Sequence, residues 1–319
     1  MSENKLTTKE KFDNIIKRNL ISSGISENVF KYLIEQKDGE ISEYPLYFNK
    51  TAFDIFVQEM NILYPQHHLK YNGNVSVTQN KGGAGGELIQ KMGRYGLTPP
   101  KMASVASSSR FCYIALRNGT DALIEGKYTS GAHIEFEKEC KIFAEKGTAP
   151  QLDAFIADTD SNVYIEAKCH EIFDSHKVIL KNKYWKYFEN DSILCEALKG
   201  IKKGEEEFTL PLSLFRINAS SSRFDIKQLV CHLLGIKEQN QGQKAKLIYL
   251  FFEPIAENAE DAVFVNKVFD ELETEIKLIF ESDIINDFCS ANNIELSAIK
   301  EKSRIMEPLY RSNKVDIYP

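Results

Sequence analysis

The clearest hydrophobic pattern in the chain lies between positions 150 and 171, where two short runs alternate apolar and polar residues. The turn-rich segment 158–162 separates the two runs, and this combination is typical of a β-hairpin. Because successive side chains of a strand point to opposite faces, the apolar residues share one face, and Asp153, Glu166 and Lys168 lie on the other.

Two carboxylates face each other in this hairpin if its loop spans positions 158–161. Asp153 then lies directly opposite Glu166, and the ammonium group of Lys168 lies two residues further along. Directly opposed like charges destabilise a hairpin, and one of the two carboxylates would be driven to take up a proton. A divalent cation between them removes this conflict, so the pattern predicts a metal site.

Apolar residues at three- and four-residue spacing predict helices in the first 65 residues, over 8–19, 26–36 and 50–63. The glycine-rich segment that follows lacks the Gly-Lys-Ser/Thr of a nucleotide-binding loop. We interpret it as a flexible connector, with a DNA-facing loop as the alternative. The chain is therefore divided into a helical N-terminal region over 1–70, the connector over 71–86, a core over 87–256 and a C-terminal helical region packed on the core over 257–319.

Strand and helix patterns alternate through the rest of the chain. A helix is predicted over 104–117 with Gly119 as its C-cap, and a strand over 133–143 joins the hairpin in a three-stranded meander. The near-continuous apolar run 245–252 is typical of a buried central strand. Helical periodicity over 259–288 predicts two further helices.

A predicted helix that begins at Asp225 carries two polar residues on one face. Asp225 fits an N-cap, and Gly235 is expected to close the helix. Gln228 and His232 are four residues apart and therefore share a face, while the leucines face the core. Gln228 is the better candidate for an active-site contact, and His232 is either a neighbour of the site or a buried structural histidine.

At the hairpin the chain resembles the PD-(D/E)XK nuclease superfamily. Residues 166–168, Glu-Ala-Lys, fit the (D/E)-x-K half of the motif, while Asp153 follows Pro150 by three positions rather than one. The resemblance spans roughly 87–254 and extends to bacterial proteins described as restriction endonucleases. It implies an α/β fold: a restriction-endonuclease-like core with a mixed central β-sheet flanked by helices, plus a helical N-terminal addition.

The resemblance also implies a magnesium-dependent active site on the polar face of the hairpin. Asp153, Glu166 and the backbone carbonyl of Ala167 would hold Mg²⁺ or Mn²⁺, because these ions prefer hard oxygen ligands. Lys168 would orient the attacking water or offset negative charge in the transition state. Gln228 would position water or phosphate, since superfamily members often carry such a polar residue on the helix after the motif strand.

Further acidic residues could support this site. Superfamily members often take an additional acid from an element upstream of the hairpin, and Glu87, Glu137 and Glu139 could each fill that place. The spacing does not choose among them, and a solvent-exposed acidic face is the alternative for each. Glu171, just beyond the motif, could support the lysine or the outer shell of the metal.

Cations interleaved with aromatic residues between positions 175 and 187 suit contact with a nucleic-acid backbone and stacking on unpaired bases. An ordinary amphipathic surface is the alternative. The candidate DNA-binding residues are Arg110, Lys181, Lys183, Trp185 and Lys186.

Composition changes this picture little. With 43% hydrophobic and 27% charged residues the 319-residue chain is typical of a globular protein, and no apolar run approaches the roughly 20 residues of a membrane span. We expect no membrane association and a cytoplasmic location, because the six cysteines are scattered without a CxxC pair and the polar start is no signal peptide. The net charge of −6 argues against indiscriminate nucleic-acid binding but permits DNA binding through a local basic cluster.

Three functions remain open. The first is a metal-dependent deoxyribonuclease of restriction or defence type, with DNA as its partner. The second is a catalytically silent nucleic-acid-binding protein on the same scaffold, against which the intact acid, acid and lysine set speaks. The third is a hydrolase of a small phosphorylated substrate, which the lack of a phosphate-cradling motif weakens. Restriction-type enzymes often act as dimers, so a homodimer is one option, although the sequence carries no interface signal.

Overall fold

The computed structural model describes residues 6–63, 91–93, 96–116, 134–142, 149–157 and 161–302. The predicted connector over 71–86, the cap at Gly119, most of the hairpin loop and Glu87 lie outside these residues. The helices are α1 Thr8–Ser22, α2 Lys50–Leu63, α3 Ser108–Leu116, α4 Trp185–Asn190, α5 Leu194–Ala197, α6 Ile226–Asn240, α7 Ala259–Phe280 and α8 Asp283–Ala291. The strands are β1 Phe30–Glu35, β2 Ile41–Phe48, β3 Lys91–Gly93, β4 Gly96–Thr98, β5 Ile134–Glu139, β6 Gln151–Ile156, β7 Asn162–Lys168, β8 Val178–Lys181, β9 Glu207–Leu210, β10 Ala245–Glu253 and β11 Ile294–Lys302.

Five strands form one mixed central sheet in the order β11-β10-β7-β6-β5. β5, β6 and β7 form the predicted antiparallel meander, whereas the buried strand β10 runs parallel to both β7 and β11. The ring of Phe252 packs on Phe111 of α3, and that of Tyr249, on the opposite face of the sheet, packs on Phe224 just before α6. The predicted α/β class, with a mixed sheet flanked by helices, is therefore confirmed.

The N-terminal region is mixed rather than helical. α1 and α2 are confirmed, but the predicted helix over 26–36 is wrong, because β1 and β2 form an antiparallel hairpin. Phe30, Tyr32 and Ile34 are buried at every second position, which is the period of a strand. Leu33, which completed the apparent helical spacing, is 52% exposed.

α1 packs against the segments that follow β7 and β10 and does not form a separate lobe. Phe12 lies edge-on to Phe173 at 4.9 Å, and Oδ1 of Asp13 lies 3.0 Å from Nδ1 of His170. Further along the helix, the amide of Asn19 exchanges two 2.8 Å hydrogen bonds with the backbone of residue 255. α1 therefore ties together the carboxyl ends of the two parallel strands β7 and β10.

The C-terminal region is also mixed. α7 and α8 confirm the two predicted helices. Residues 294–302 instead form β11 at the edge of the central sheet, so the prediction of a helical region is wrong for them. The hydrogen bonds that define this strand come from parallel pairing with β10, in which Ala245 lies opposite Ile294. Such long-range pairing leaves little local trace, because Ile294 is the single fully buried residue of 294–300.

Two further features of the described chain are the state of its cysteines and the character of its helices. All six cysteines are free, and five of them are buried. Among the described residues, no helix combines the length and the apolar character needed to cross a membrane.

Gly235 lies inside α6 and does not end it as predicted. The helix continues to Asn240, and Gln241 follows it in the left-handed conformation with φ +47°. A Cβ atom at position 235 would lie 2.6 Å from the Cβ of Cys140 and 3.1 Å from its carbonyl oxygen. Glycine therefore allows α6 to approach the chain that follows β5 closely.

We predict that Gly235→Ala lowers the free energy of unfolding by about 1–3 kcal/mol, because the added methyl group overpacks this contact. The steric cost should exceed the roughly 1 kcal/mol that alanine normally gains over glycine inside a helix. Urea denaturation measures the difference, with Glu238→Ala on the exposed face of the same helix as the control. A Gly235→Ala variant at least as stable as the wild type would contradict the close approach.

Candidate active site

Strands β6 and β7 part at the point where the predicted carboxylates lie. Ala154 pairs with Ile165, and this register runs on to Asp153 and Glu166, the two residues that the sequence analysis placed opposite each other. The backbone ladder ends there, and Oδ2 of Asp153 instead accepts the N–H of Ala167 at 2.7 Å. The side chain of Asp153 thus replaces a strand-to-strand hydrogen bond, which fixes its carboxylate beside the motif.

Glu166, Lys168 and Gln228 form a closed hydrogen-bonded ring. Oε1 of Glu166 accepts from Nζ of Lys168 at 2.6 Å and from Nε2 of Gln228 at 2.7 Å. Nζ of Lys168 also donates to Oε1 of Gln228 at 2.7 Å. Glu166 is only 4% exposed, so this ring meets the rule that a buried charge needs a partner.

The start of α6 brings Gln228 to this ring. Asp225 caps the helix as predicted, because its carboxylate accepts the backbone N–H of Gln228 at 2.9 Å. One turn later, His232 lies on the same face, and its Nε2 is 3.8 Å from Oε2 of Glu166. The prediction that both side chains share one face of the helix is therefore confirmed, and His232 is buried.

The additional acids take different positions. Glu137 has a left-handed φ of +53° and falls between two paired residues of β5, beside Asp153. A non-glycine residue in this conformation signals local backbone strain, which often occurs at functional sites. Glu139 lies opposite Gln151 instead. The position of Glu137 upstream of the hairpin made it a candidate, but no residue pattern in the sequence signals its left-handed conformation.

Glu171 is held next to the motif by two hydrogen bonds. Its carboxylate accepts from the hydroxyl of Ser108 at 2.5 Å and from the backbone N–H of Cys169 at 2.8 Å. Burial alone would raise the pKa of Glu171, but the charge of Lys168 and the bond from Ser108 lower it below its ordinary value. Glu171 is therefore ionised at neutral pH and adds negative charge beside the lysine.

The charges of the site act on one another. Burial, followed by the charges of Glu166 and Glu137, raises the pKa of Asp153 well above its usual range. Burial alone would lower the pKa of Lys168, but the surrounding carboxylates, that of Glu166 first, raise it above its ordinary value. Lys168 stays charged, and Asp153 is the carboxyl group that burial and its acidic neighbours drive to take up a proton.

The donor set suits a hard cation in chemistry but is small. Within the described ranges, no group of three or more histidine, cysteine, aspartate or glutamate side chains is placed to hold a metal ion. Asp153 and Glu166 supply carboxylate oxygens, and Ala167, whose carbonyl is the third predicted ligand, directly follows Glu166 in the sequence. Burial, and then the charges of Glu166 and Glu137, raise the pKa of Asp153, and a divalent cation would favour its ionised form, so these oxygen donors fit Mg²⁺ or Mn²⁺ in chemistry.

The prediction that Arg110 contacts DNA is wrong. Arg110 is only 3% exposed, its guanidinium lies 4.3 Å from the ring centroid of Phe48, and one of its nitrogens donates to the carbonyl of Val105 at 2.8 Å. The helix that carries it begins at Ser108 rather than at position 104, and it turns this side chain into the core.

The other candidate DNA contacts lie on the segment around β8 and α4. Lys181 and Lys186 are exposed. The ammonium groups of Lys183 and Lys186 lie 5.5 Å and 5.4 Å from the rings of the tyrosines that follow them. Trp185 is partly buried, with its ring edge-on to Phe208 at 5.0 Å. The lysines remain accessible to a phosphate backbone, whereas the tryptophan ring is largely used in packing.

A cleft of about 120 Å³ opens beside Lys168 and Gln228. Its lining includes Glu171, His176 and Arg223. His176 and Arg223 belong to no recognisable motif, so neither was predicted from the sequence. A backbone bridge pairs His176 with the residue before Arg223 and brings them to the same cleft.

The geometry thus defines an α/β protein with two carboxylates, an amine and an amide gathered at the end of strand β7. Comparisons of the chain with protein-family models, with curated proteins and with solved structures found no match. A functional inference for this chain therefore depends on its own fold and site.

We predict that Asp153→Asn raises the free energy of unfolding of the metal-free protein at pH 7–8. The pKa of Asp153 is higher in the folded than in the unfolded chain, so the wild type loses stability as the pH rises from about 4, the ordinary pKa of an aspartate, towards the folded pKa. The advantage of the variant should vanish below about pH 4, where both states hold the proton. Urea denaturation across this pH range tests it.

Asp270→Asn, on the exposed face of α7, serves as the control for this change and should shift stability little. If Asp153→Asn were less stable than the wild type at pH 8 in the absence of divalent ions, the carboxylate would be stabilising and the electrostatic conflict would be absent.

Proposed function

We propose that the protein is a metal-dependent deoxyribonuclease that hydrolyses DNA phosphodiester bonds, of restriction or defence type. The observation that carries this proposal is the meeting of Asp153, Glu166, Lys168 and Gln228 around the point where β6 and β7 part. These are the residue types, in the order along the chain, that the PD-(D/E)XK resemblance implies.

The order of elements supports the same proposal. α3 precedes the antiparallel meander β5-β6-β7, α6 follows it, and β10 then adds to the sheet parallel to β7. This order of helix, meander, helix and strand agrees with the restriction-endonuclease-like core expected from the resemblance. The motif residues lie at the carboxyl end of β7, next to its parallel partner β10.

The proposed roles follow from the contacts. Asp153, Glu166 and the carbonyl of Ala167 would hold Mg²⁺ or Mn²⁺, which supplies an acidified water and polarises the phosphate when bound. The ammonium group of Lys168 offsets negative charge that develops on the phosphoryl oxygens. Gln228 keeps that ammonium group in place, because its amide bonds to Lys168 and Glu166 at once.

The small cleft beside Lys168 favours a second candidate, a hydrolase of a small phosphorylated substrate. Its volume of about 120 Å³ is too small for a nucleic-acid strand, and Arg223 and His176 on its lining could contact a single phosphate group. Arg223 is, however, paired with Glu271 at 2.7 Å, which weakens this reading. A homodimer, which would bring two sites to two strands, stays a prediction.

We predict that purified protein cleaves plasmid and linear DNA with Mg²⁺ or Mn²⁺ and is inactive with EDTA. Lys168→Met keeps a long side chain but removes the cation, and it should lower the cleavage rate by about 100-fold or more. It should also lower the free energy of unfolding, because the buried carboxylate of Glu166 loses its cation, so folding of the variant is checked beside its activity. Asp153→Ala should abolish cleavage. Lys267→Met is the matched control, because it removes an exposed lysine of α7 in the same way, and this lysine is not among the candidate DNA contacts.

Gel analysis separates the candidate functions. Discrete metal-dependent fragments that are lost in Lys168→Met and Asp153→Ala support a sequence-specific endonuclease, and a ladder lost in both supports a nuclease without a fixed site. Full activity in Lys168→Met would refute the role of the lysine. DNA binding without cleavage, unchanged by Mg²⁺ and by either variant, would favour the catalytically silent binding protein.

A further inference from the structure

The ring of His232 is enclosed by partners on both nitrogens. Nε2 lies 3.0 Å from the carbonyl oxygen of Gln151, and Nδ1 lies 3.1 Å from the hydroxyl of Tyr249. A carbonyl can only accept, so Nε2 carries the proton and Nδ1 accepts from the tyrosine. Burial lowers the pKa of His232 and raises that of Tyr249, so the ring is neutral and the hydroxyl keeps its proton.

Tyr249 belongs to this cluster because of the sheet register. It lies opposite Glu166 in the parallel pairing of β10 with β7, so both side chains project from the same face of the sheet, beneath α6. The protonated Nε2 of His232 also points towards Oε2 of Glu166, at 3.8 Å. His232 therefore contacts three adjacent strands from a single helix.

The contact with Gln151 reaches the other carboxylate. Gln151 is the first residue of β6 and stands two positions before Asp153. A histidine bonded to Gln151 and lying against Glu166 thus spans β6 and β7 at the point where their backbone ladder ends. The spacing of the two carboxylates depends on what holds these strand ends.

We propose that Tyr249 and His232 act as a positioning pair that fixes Glu166 and the start of β6 at the spacing which the candidate active site requires. The proposal rests on the proposed function, since it takes Asp153 and Glu166 as the metal-holding pair. The hydroxyl of Tyr249 holds the imidazole ring, and the ring holds the two strands. Neither residue touches the reacting atoms.

Polar contacts of this kind are costly unless they are complete. A buried donor or acceptor that loses its partner keeps the full free-energy cost of its desolvation. Apolar groups of the same shape fill the space without that cost. Tyr249, His232 and Glu166 are each at most 4% exposed. Three polar groups in a place that apolar side chains could fill indicate a role in orientation rather than in packing.

The first test is a double-mutant cycle in the absence of metal. Tyr249→Phe removes only the hydroxyl, and Glu166→Gln keeps the shape of the carboxylate but removes its charge. If the pair positions Glu166, the stability effects of the two changes are not additive in urea denaturation. Additive effects would overturn the proposal, because Tyr249 would then act independently of Glu166.

The second test measures Mg²⁺ binding by calorimetry. Tyr249→Phe should weaken binding about 10- to 100-fold, the usual effect of losing a group that orients a metal ligand. Tyr164→Phe is the matched control, because Tyr164 is equally buried in β7 but lies against Phe155 at 4.9 Å. Unchanged Mg²⁺ affinity in Tyr249→Phe, with binding by the wild type intact, would also overturn the proposal.

The two proposals fail in different ways. If the wild type neither binds Mg²⁺ nor cleaves DNA, the proposed function is wrong, while the metal-free cycle still decides whether Tyr249 and Glu166 are energetically coupled. His232→Gln provides a further check, since an amide with its oxygen and nitrogen on one carbon cannot contact Tyr249 and Gln151 as the two sides of the ring do. It should weaken Mg²⁺ binding as Tyr249→Phe does.

Discussion

The candidate active site depends on two carboxylates held close together in a partly enclosed place, where neighbours have to balance their repulsion. Asp153 accepts a backbone N–H across the parted strands, and Glu166 accepts from Lys168 and Gln228. These contacts come from different parts of the chain. The ends of β6 and β7 and the first turn of α6 therefore have to meet at one point, and the close approach of α6 at Gly235 helps to make this possible.

Two features that lower the stability of the folded chain lie on one side of this site. The backbone of Glu137 adopts a left-handed conformation beside Asp153, and the pKa of Asp153 is raised by burial and by the charges around it. Both features lower the stability of the folded chain. Local rules of this kind are usually broken where binding or catalysis requires it. α1, which ties the segments after β7 and β10, supplies stabilising contacts next to the same strand ends.

Local residue patterns were sufficient to predict features that depend on a single hairpin or helix. Alternation and turn residues predicted the β6–β7 hairpin and its register, and the Asp225 cap predicted where α6 would present Gln228. Tertiary contacts decided the rest. Residues 26–36 fit both helical and strand periods, and pairing with β2 selects the strand. β11 exists because β10 lies beside it, and the burial of Arg110 follows from its packing on Phe48, which no local spacing reveals.

Lys168 connects the carboxylates with the space open to a ligand. Its ammonium group bonds to Glu166, while its side chain also lines the cleft beside Gln228. A buried ion pair by itself contributes little to stability, because desolvation offsets most of the attraction. One lysine cannot balance the charge that Asp153, Glu166 and Glu171 would carry if all three were ionised, and burial together with this conflict raises the pKa of Asp153. An arrangement with this excess suits a site that receives further positive charge, and it explains why the same residues would be a poor choice for stability alone.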